Sequence, residues 1–450
     1  MAEINEQFKL KMEKLLGSEA PDFFKALEEP CKKAITVNFT KLPKEKFENI
    51  ADFNITPIPE VNNGYLVENL KVGSHILNHL GVIYSQEPSA MYPVEMLDIE
   101  EGDIVLDLCS APGGKSIQIL EKLNGTGLLV ANEIVYNRAK ILYENLNRMG
   151  FKNFIITCAS PQEFESTNLK FDKILVDAPC GGEGMFRRGN FDFSAYSKAS
   201  IETNAKRQLS ILGSIKHLLK PNGKLVYSTC TYDILENENV ICEFVKENPD
   251  YKILDYPRLN TVTSEGIKIE EYNTHYSRRR YPHKFEGEGQ FMALLQRDNF
   301  EEEEKTSKLY ARGYEPIYKK DIEILRSTFK NVADIKDLNL YKRNDNYYVA
   351  PDCEFDFDNI NVLTLGVLLG TLNKGTIKIA HEFYHSYPEL FYNHIELDNN
   401  QVADYLKGYE VDIDNNQNGI IIVKNNGIAL GGGKAVQGKL KNYYPKNLRN

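Results

Sequence analysis

Two cysteines stand where a thiol could do chemistry. Residues 173–176 read as a strand that runs into Asp177-Ala178-Pro179-Cys180, and residues 225–228 read as another that runs into Thr229-Cys230-Thr231-Tyr232. Each cysteine falls just past the carboxyl end of its strand, the edge on which α/β sheets hold ligands. A third, Cys109, lies in a turn after residues 104–108. A lone cysteine is ordinarily a small, inert core residue. Two of them on one ligand-facing edge, one preceded by Asp-Ala-Pro, point instead to nucleophilic chemistry, in which the thiolate is the reactive form.

Pyrimidine chemistry offers a use for two thiols. Carbon 5 of the ring is a poor nucleophile until something adds at carbon 6. A thiolate adding there makes an enamine able to attack an electrophilic methyl group. An acid at ring nitrogen 3 stabilises the charge that the addition produces. The proton at carbon 5 must then leave and the bond to the protein must break, an elimination that a second thiol beside the first could assist.

These groups need a scaffold, and residues 103–116 supply its anchor: Asp-Ile-Val-Leu-Asp-Leu-Cys-Ser-Ala-Pro-Gly-Gly-Lys-Ser. A buried parallel strand ending at Asp107 meets a tight turn at Pro112-Gly113-Gly114, and helical spacing resumes from Ser116. A strand, a glycine turn and a helix N-terminus form a place for a nucleotide-like ligand. The turn is neither G-x-G-x-x-G nor a Walker A loop. Strands and helices alternate through residues 93–298, the mark of a parallel sheet. Within it, Glu133 closes the second strand, where an acid can accept hydrogen bonds from ribose hydroxyls. A helix over 201–219 is expected to stop at Pro221-Asn222-Gly223. Residues 1–92 read as a small mixed domain opening with helices, 299–308 as a charged linker, and 309–450 as a small α+β region.

Composition bounds the setting. The formal charge of −10 argues against non-specific nucleic-acid binding, yet residues 424–450 carry Lys424, Lys434, Lys439, Lys441, Lys446 and Arg449 and no acid. Arg187–Arg188 and Arg278–Arg280 add two more basic clusters, so a local phosphate-binding surface is expected. Seven cysteines without a C-x-x-C pair indicate neither a disulfide framework nor a zinc knuckle. No stretch approaches the about 20 apolar residues of a membrane span, and a cytoplasmic location is expected. His381-Glu382-Phe383-Tyr384-His385 fits H-E-x-x-H, but Tyr387-Pro388 follows at once, a strand-like run precedes it and no third ligand is evident, so exposed or packing histidines are expected and no metal.

Cys109-Ser-Ala-Pro-Gly-Gly-Lys115, Asp177-Ala-Pro-Cys180 and Ser228-Thr-Cys-Thr-Tyr232, in this order, resemble the signature blocks of the Nop/Sun family of RNA cytosine carbon-5 methyltransferases. Residues 86–91 and Asn237-Glu238-Asn239 resemble flanking blocks, and the tail from Gly427 resembles the PUA-like end of its bacterial 16S ribosomal RNA members. The resemblance implies a Rossmann-like S-adenosylmethionine core between small α+β N-terminal and C-terminal RNA-binding domains. It also implies that Cys109, Ser110, Ala111, Pro112, Gly113, Gly114 and Lys115 hold the methionine part of the donor and Glu133 its ribose, with Arg138 beside them. Asp177 would act on ring nitrogen 3, Cys230 would be the nucleophile, Cys180 would aid release, and Lys115 would support the charged site. Where the family has an acid near the adenine, this chain offers Ser160. The implied partner is RNA, 16S ribosomal RNA or the small subunit, met by a monomer. Transfer RNA or DNA as substrate, and a non-catalytic assembly factor, are the alternatives.

Overall fold

Apolar runs buried on both faces become the middle of a sheet, and five of them organise this chain. The computed structural model describes residues 5–188, 196–269, 271–301, 308–413 and 417–449. Two helices open it, α1 (Glu6–Leu16) and α2 (Ala20–Glu28). Asn5 caps α1 by accepting from the Gln7 amide at 2.8 Å, and Gly17 ends it at φ +56°. An antiparallel four-stranded sheet follows, in the order Ile55–Pro57, Gly64–Val67, Lys33–Val37, Ile83–Ser85.

The central sheet contains Ile104–Asp107 (β1), Leu128–Asn132 (β2), Phe154–Thr157 (β3), Phe171–Asp177 (β4) and Leu219–Thr229 (β5), parallel neighbours in the order β5-β4-β1-β2-β3. Arg278–Arg280 (β6) and Gln290–Arg297 (β7) extend it antiparallel beyond β5. Val105, Leu175 and Val226 pack into one core and Leu106, Ile174 and Leu225 into another, as period-two alternation in a doubly covered sheet demands. Each such side chain, fully buried, contributes about 1.5–3 kcal/mol. Gly114–Leu123 (α3), Tyr136–Met149 (α4) and Lys198–Ile215 (α5) are among its connecting helices, and Glu238–Glu247 (α6) follows β5. The Rossmann-like core expected from the sequence is present.

The chain steps outward from β1 to β3 and returns on the other side of β1 as β4. The connections that leave the carboxyl ends of β1 and β4 therefore run to opposite sides, and a crevice opens between them. The helix expected to reach residue 219 ends at Ile215, and β5 begins at Leu219 with Pro221 in its irregular first stretch. Leu218 and Leu219 are fully buried, so apolar packing overrides the stop signal there.

Beyond residue 309 lie two five-stranded sheets. One has the order Glu315–Pro316, Leu340–Arg343, Asn346–Val349, Val367–Asn373, Thr376–Ile379; the other His394–Glu396, Gly419–Asn425, Ile428–Val436, Lys439–Asn442, Val411–Asp412. Between the strands of the first, Val362–Leu365 (β8) leaves to pair antiparallel with β3. The C-terminal region thus completes the edge of the central sheet. Most of the expected linker, residues 302–307, lies outside the described residues.

Candidate active site

The three strand ends converge on a cleft of about 760 Å3. Ser110, Ala111, Pro112, Gly114 and Lys115 line it from the turn after β1, Glu133 and Arg138 from β2 and α4, and Asp177, Cys180 and Cys230 from the ends of β4 and β5. Cys109 lines it too, but burial first, and the carboxylates of Asp107 and Asp177 after it, push its thiol far up. Gly113 turns the chain at φ +118° and faces Leu142 instead of the cleft. A Cβ on Gly114 would lie 3.1 Å from Gln86 and 3.2 Å from Tyr84, so glycine lets the turn press against the N-terminal region.

The turn is held from behind. Asn132 donates to the carbonyls of Leu108 and Ala159 at 3.1 and 3.0 Å and ties three strand ends together. Arg138 bridges the Ala111 carbonyl at 2.9 Å and Glu133 Oε2 at 3.0 Å. The other Glu133 oxygen accepts from the Val135 amide at 2.9 Å. Asp107 is fully buried: Ser116 donates to Oδ2 at 2.7 Å, whereas Oδ1 has no partner. Burial pushes its carboxyl up to about 7 against the Ser116 bond and the Lys115 charge.

Asp177 sits at the centre. Lys115 Nζ donates to its Oδ2 at 2.8 Å, and Ser228 Oγ and Gln290 Nε2 donate to Oδ1 at 2.7 and 3.1 Å. Burial pulls the Lys115 ammonium down, but the carboxylates of Asp177 and Asp107 outweigh it and the group stays charged. The Cys180 and Cys230 sulfurs face each other at 3.4 Å, a hydrogen-bond distance far beyond the about 2.05 Å of a disulfide. Their hydrogen bond first, and burial second, drive the Cys180 thiol well up. Glu236 braces the Cys180 loop: it accepts from the Gly181 amide at 3.0 Å and from Gln208 at 2.8 Å, and burial pushes it up to about 7.

The structure thus brings together every site residue expected from the sequence but two, Gly113 and Ser160. The Ser160 amide and hydroxyl both meet Glu163 Oε2, at 2.6 and 2.9 Å, in a capping pair, while its neighbours Pro161 and Gln162 line the cleft. Gln290 and Glu236 escaped the sequence reading, although Glu236 directly precedes the Asn237-Glu238-Asn239 block, and Ser228 entered it as the first residue of a block without a role.

One expectation about other clusters changes. Arg278–Arg280 form no surface patch: all three are buried at 2–3% exposure. Arg278 pairs with Asp255 and Arg279 with Glu238, while Arg280 serves the Val262 and Glu286 carbonyls and stacks on Tyr92. The other pair, Arg187–Arg188, has its first member bonded to the Glu29 and Gly287 carbonyls. His381 and His385 do lie one turn apart, on a six-residue helix, α7 (His381–Ser386). Their Nε2 atoms meet at 3.2 Å, His385 Nδ1 meets Lys41 at 3.2 Å, and Glu382 turns to Tyr143. Among the described residues no group of three metal-ligating side chains assembles.

Residues 94–296 match the family model described as 16S rRNA methyltransferase RsmB/F. Residues 4–88 match the N-terminal domain of 16S rRNA methyltransferase RsmF and residues 392–450 the methyltransferase RsmF PUA domain. The chain is 30% identical, over 95% of its length and 93% of the relative's, to the ribosomal RNA small subunit methyltransferase F of Psychromonas ingrahamii. The chain belongs to the RsmB/F family. Among further RsmB/F-like relatives is the methyltransferase F of Shewanella oneidensis, 29% identical over 95% of this chain and 93% of that protein. A methyltransferase homologue from Pyrococcus horikoshii superposes with a TM-score of 0.58 at 30% identity, covering 65% of this chain and 95% of that one. NSun6 from the same organism, solved with SFG, shares the fold at a TM-score of 0.56 and 21% identity, covering 65% of this chain and 98% of that one. RsmB/F membership makes the central sheet and its cleft those of a methyltransferase.

Proposed function

We propose that this RsmB/F protein methylates carbon 5 of a cytosine in 16S ribosomal RNA of the small subunit, with S-adenosylmethionine as donor and a covalent Cys230 adduct at carbon 6. The observation that carries the reading is the sulfur pair at 3.4 Å beside Asp177 at the cleft. The cleft also suits the donor. Glu133 offers a ribose diol its carboxylate at the second strand end, the N-terminus of α3 favours a carboxylate, and Asp177 gives the place of a sulfonium an acid at the cleft wall. The donor supplies the electrophilic methyl when bound along residues 109–115 and Glu133.

The protein's own groups divide the remaining work. The bond to Cys230 and burial both favour the protonated form of Cys180, and on that ground we assign the attack to Cys230. Asp177, fixed by Lys115, Ser228 and Gln290, meets ring nitrogen 3 of an unstacked cytosine. Unstacking costs a few kcal/mol, recovered by the flanking domains on RNA backbone and shape. Lys434, Lys439, Lys441 and Lys446 are exposed on the C-terminal unit and suit that task. We assign this activity to a cytoplasmic monomer, and no helix among the described residues is long and apolar enough to cross a membrane.

The test incubates immature small subunits with the protein and radiolabelled donor and maps the product by bisulfite sequencing. Wild-type protein is expected to place label on carbon 5 of cytosine, and Cys230→Ala to place none. Full activity in Cys230→Ala would refute the assignment.

A further inference from the structure

The loops that carry the two reacting cysteines are joined at their far ends by one side chain from the N-terminal helix. Glu183 stands three residues past Cys180 and Asp233 three past Cys230. The Lys11 ammonium, carried on α1, pairs with Glu183 and lies 2.9 Å from Asp233 Oδ2. Both acids are buried, their side chains 1% and 7% exposed, so neither has water to screen it from the other. The loops also touch through backbone. Glu183 Oε2 accepts from the Tyr232 amide at 3.0 Å, and the Gly184 amide donates to the Cys230 carbonyl at 2.7 Å. A Cβ on Gly184 would lie 2.7 Å from that carbonyl, so the approach leaves no slack.

Lys11 is itself held in place. The rings of Phe8 and Tyr196 lie 5.5 and 5.2 Å from its nitrogen. Phe8 and Met12 seat α1 in a cluster with Phe23 of α2, Phe186 and Tyr232, the last two on the cysteine loops themselves. Removing the cation would leave two buried carboxylates facing each other, and like charges at that range drive the loops apart.

We propose that Lys11 is a positioning residue for methyl transfer: by neutralising Glu183 and Asp233 together, it holds the two loops at the spacing that lets one sulfur serve the other. This rests on Cys180 and Cys230 being the reacting pair, and it makes α1 part of the catalytic apparatus. Misplacement by on the order of 1 Å, far from the chemistry, can lower a rate about 100-fold.

The experiment compares full-length Lys11→Met, Lys11→Arg and Asp233→Asn with wild type. Turnover of Lys11→Met is expected to fall about 100-fold in kcat with KM for RNA and donor held within about twofold, and Lys11→Arg is expected to recover most of it. A second readout is the rate at which diamide closes a Cys180–Cys230 disulfide, which follows sulfur spacing and needs no RNA. It is expected to slow at least about tenfold in Lys11→Met, and Asp233→Asn is expected to show the same direction in both readouts should Lys11→Met fail to fold. Wild-type kcat, a loss confined to KM, or an unchanged oxidation rate overturns the role of Lys11. Cys230→Ala, run alongside, separates the two ideas: if it stays active the thiol reading has failed, and if it is dead while Lys11→Met is unimpaired only the clamp has.

Discussion

Replacing Cys180 by alanine separates the two halves of the reaction. The substitution removes the sulfur 3.4 Å from Cys230 and leaves the Cys230 thiol, Asp177 and its three hydrogen-bond partners in place. Cys180 is only partly buried, so the fold tolerates its truncation. Attack and methyl transfer do not use this thiol, and the first turnover is expected to stay within a few-fold of wild type. Elimination loses a positioned acid–base group, worth about 100- to 10,000-fold, or about 3 to 5 kcal/mol on that barrier. Protein should therefore accumulate as a covalent adduct with methylated RNA, one methyl per protein. A denaturing gel with radiolabelled donor reads the adduct directly, and Cys180→Ala combined with Cys230→Ala should abolish it. Multiple turnover at the wild-type rate by Cys180→Ala, or an adduct that survives the double substitution, would refute the reasoning.

The Arg279–Glu238 pair, 2% and 0% exposed in its side chains, braces the Cys230 loop, because Arg279 also donates to the Tyr232 carbonyl at 2.9 Å; Glu238→Gln should lower the unfolding free energy by about 3–5 kcal/mol in urea titration, since it strands a buried guanidinium. Asp107 and Glu236 both bind a proton more tightly folded than unfolded, so through them stability is full below about pH 4 and is lost as pH rises toward about 7. For Asp107 a rise from 3.8 to about 7 is worth about 4 kcal/mol, at about 1.36 kcal/mol per factor of ten in acidity. Asp107→Asn should therefore flatten the pH dependence of the urea midpoint between pH 4 and 8, and an unaltered profile would sink that account.

Much of the site was legible because its positions are local. A buried parallel strand announces itself as an apolar run that breaks off into small or polar residues, and Asp107, Asp177, Cys180 and Cys230 all sit where such a run ends. Their supports come from elsewhere in the chain. Gln290 reaches Asp177 across the register of β7 on β5, which no spacing rule discloses. Lys11 and Glu236 read as ordinary helix and loop charges until the loops are seen together. Arg278–Arg280 misled for the same reason: three adjacent cations look like surface, and their acceptors, Asp255, Glu238 and the Val262 carbonyl, are fixed by tertiary pairing. Ser160 shows the converse, a polar side chain at the expected place whose local capping bond to Glu163 claims it first.

Because β8 is laid against β3, the tail of this enzyme is no detachable tether. A protein cut before residue 308 would bare the backbone of β3 to solvent and to its own copies, an invitation to aggregate. The region that leads into the last strands is therefore fixed to the catalytic floor by a hydrogen-bonded seam, as on a rigid jig instead of a leash.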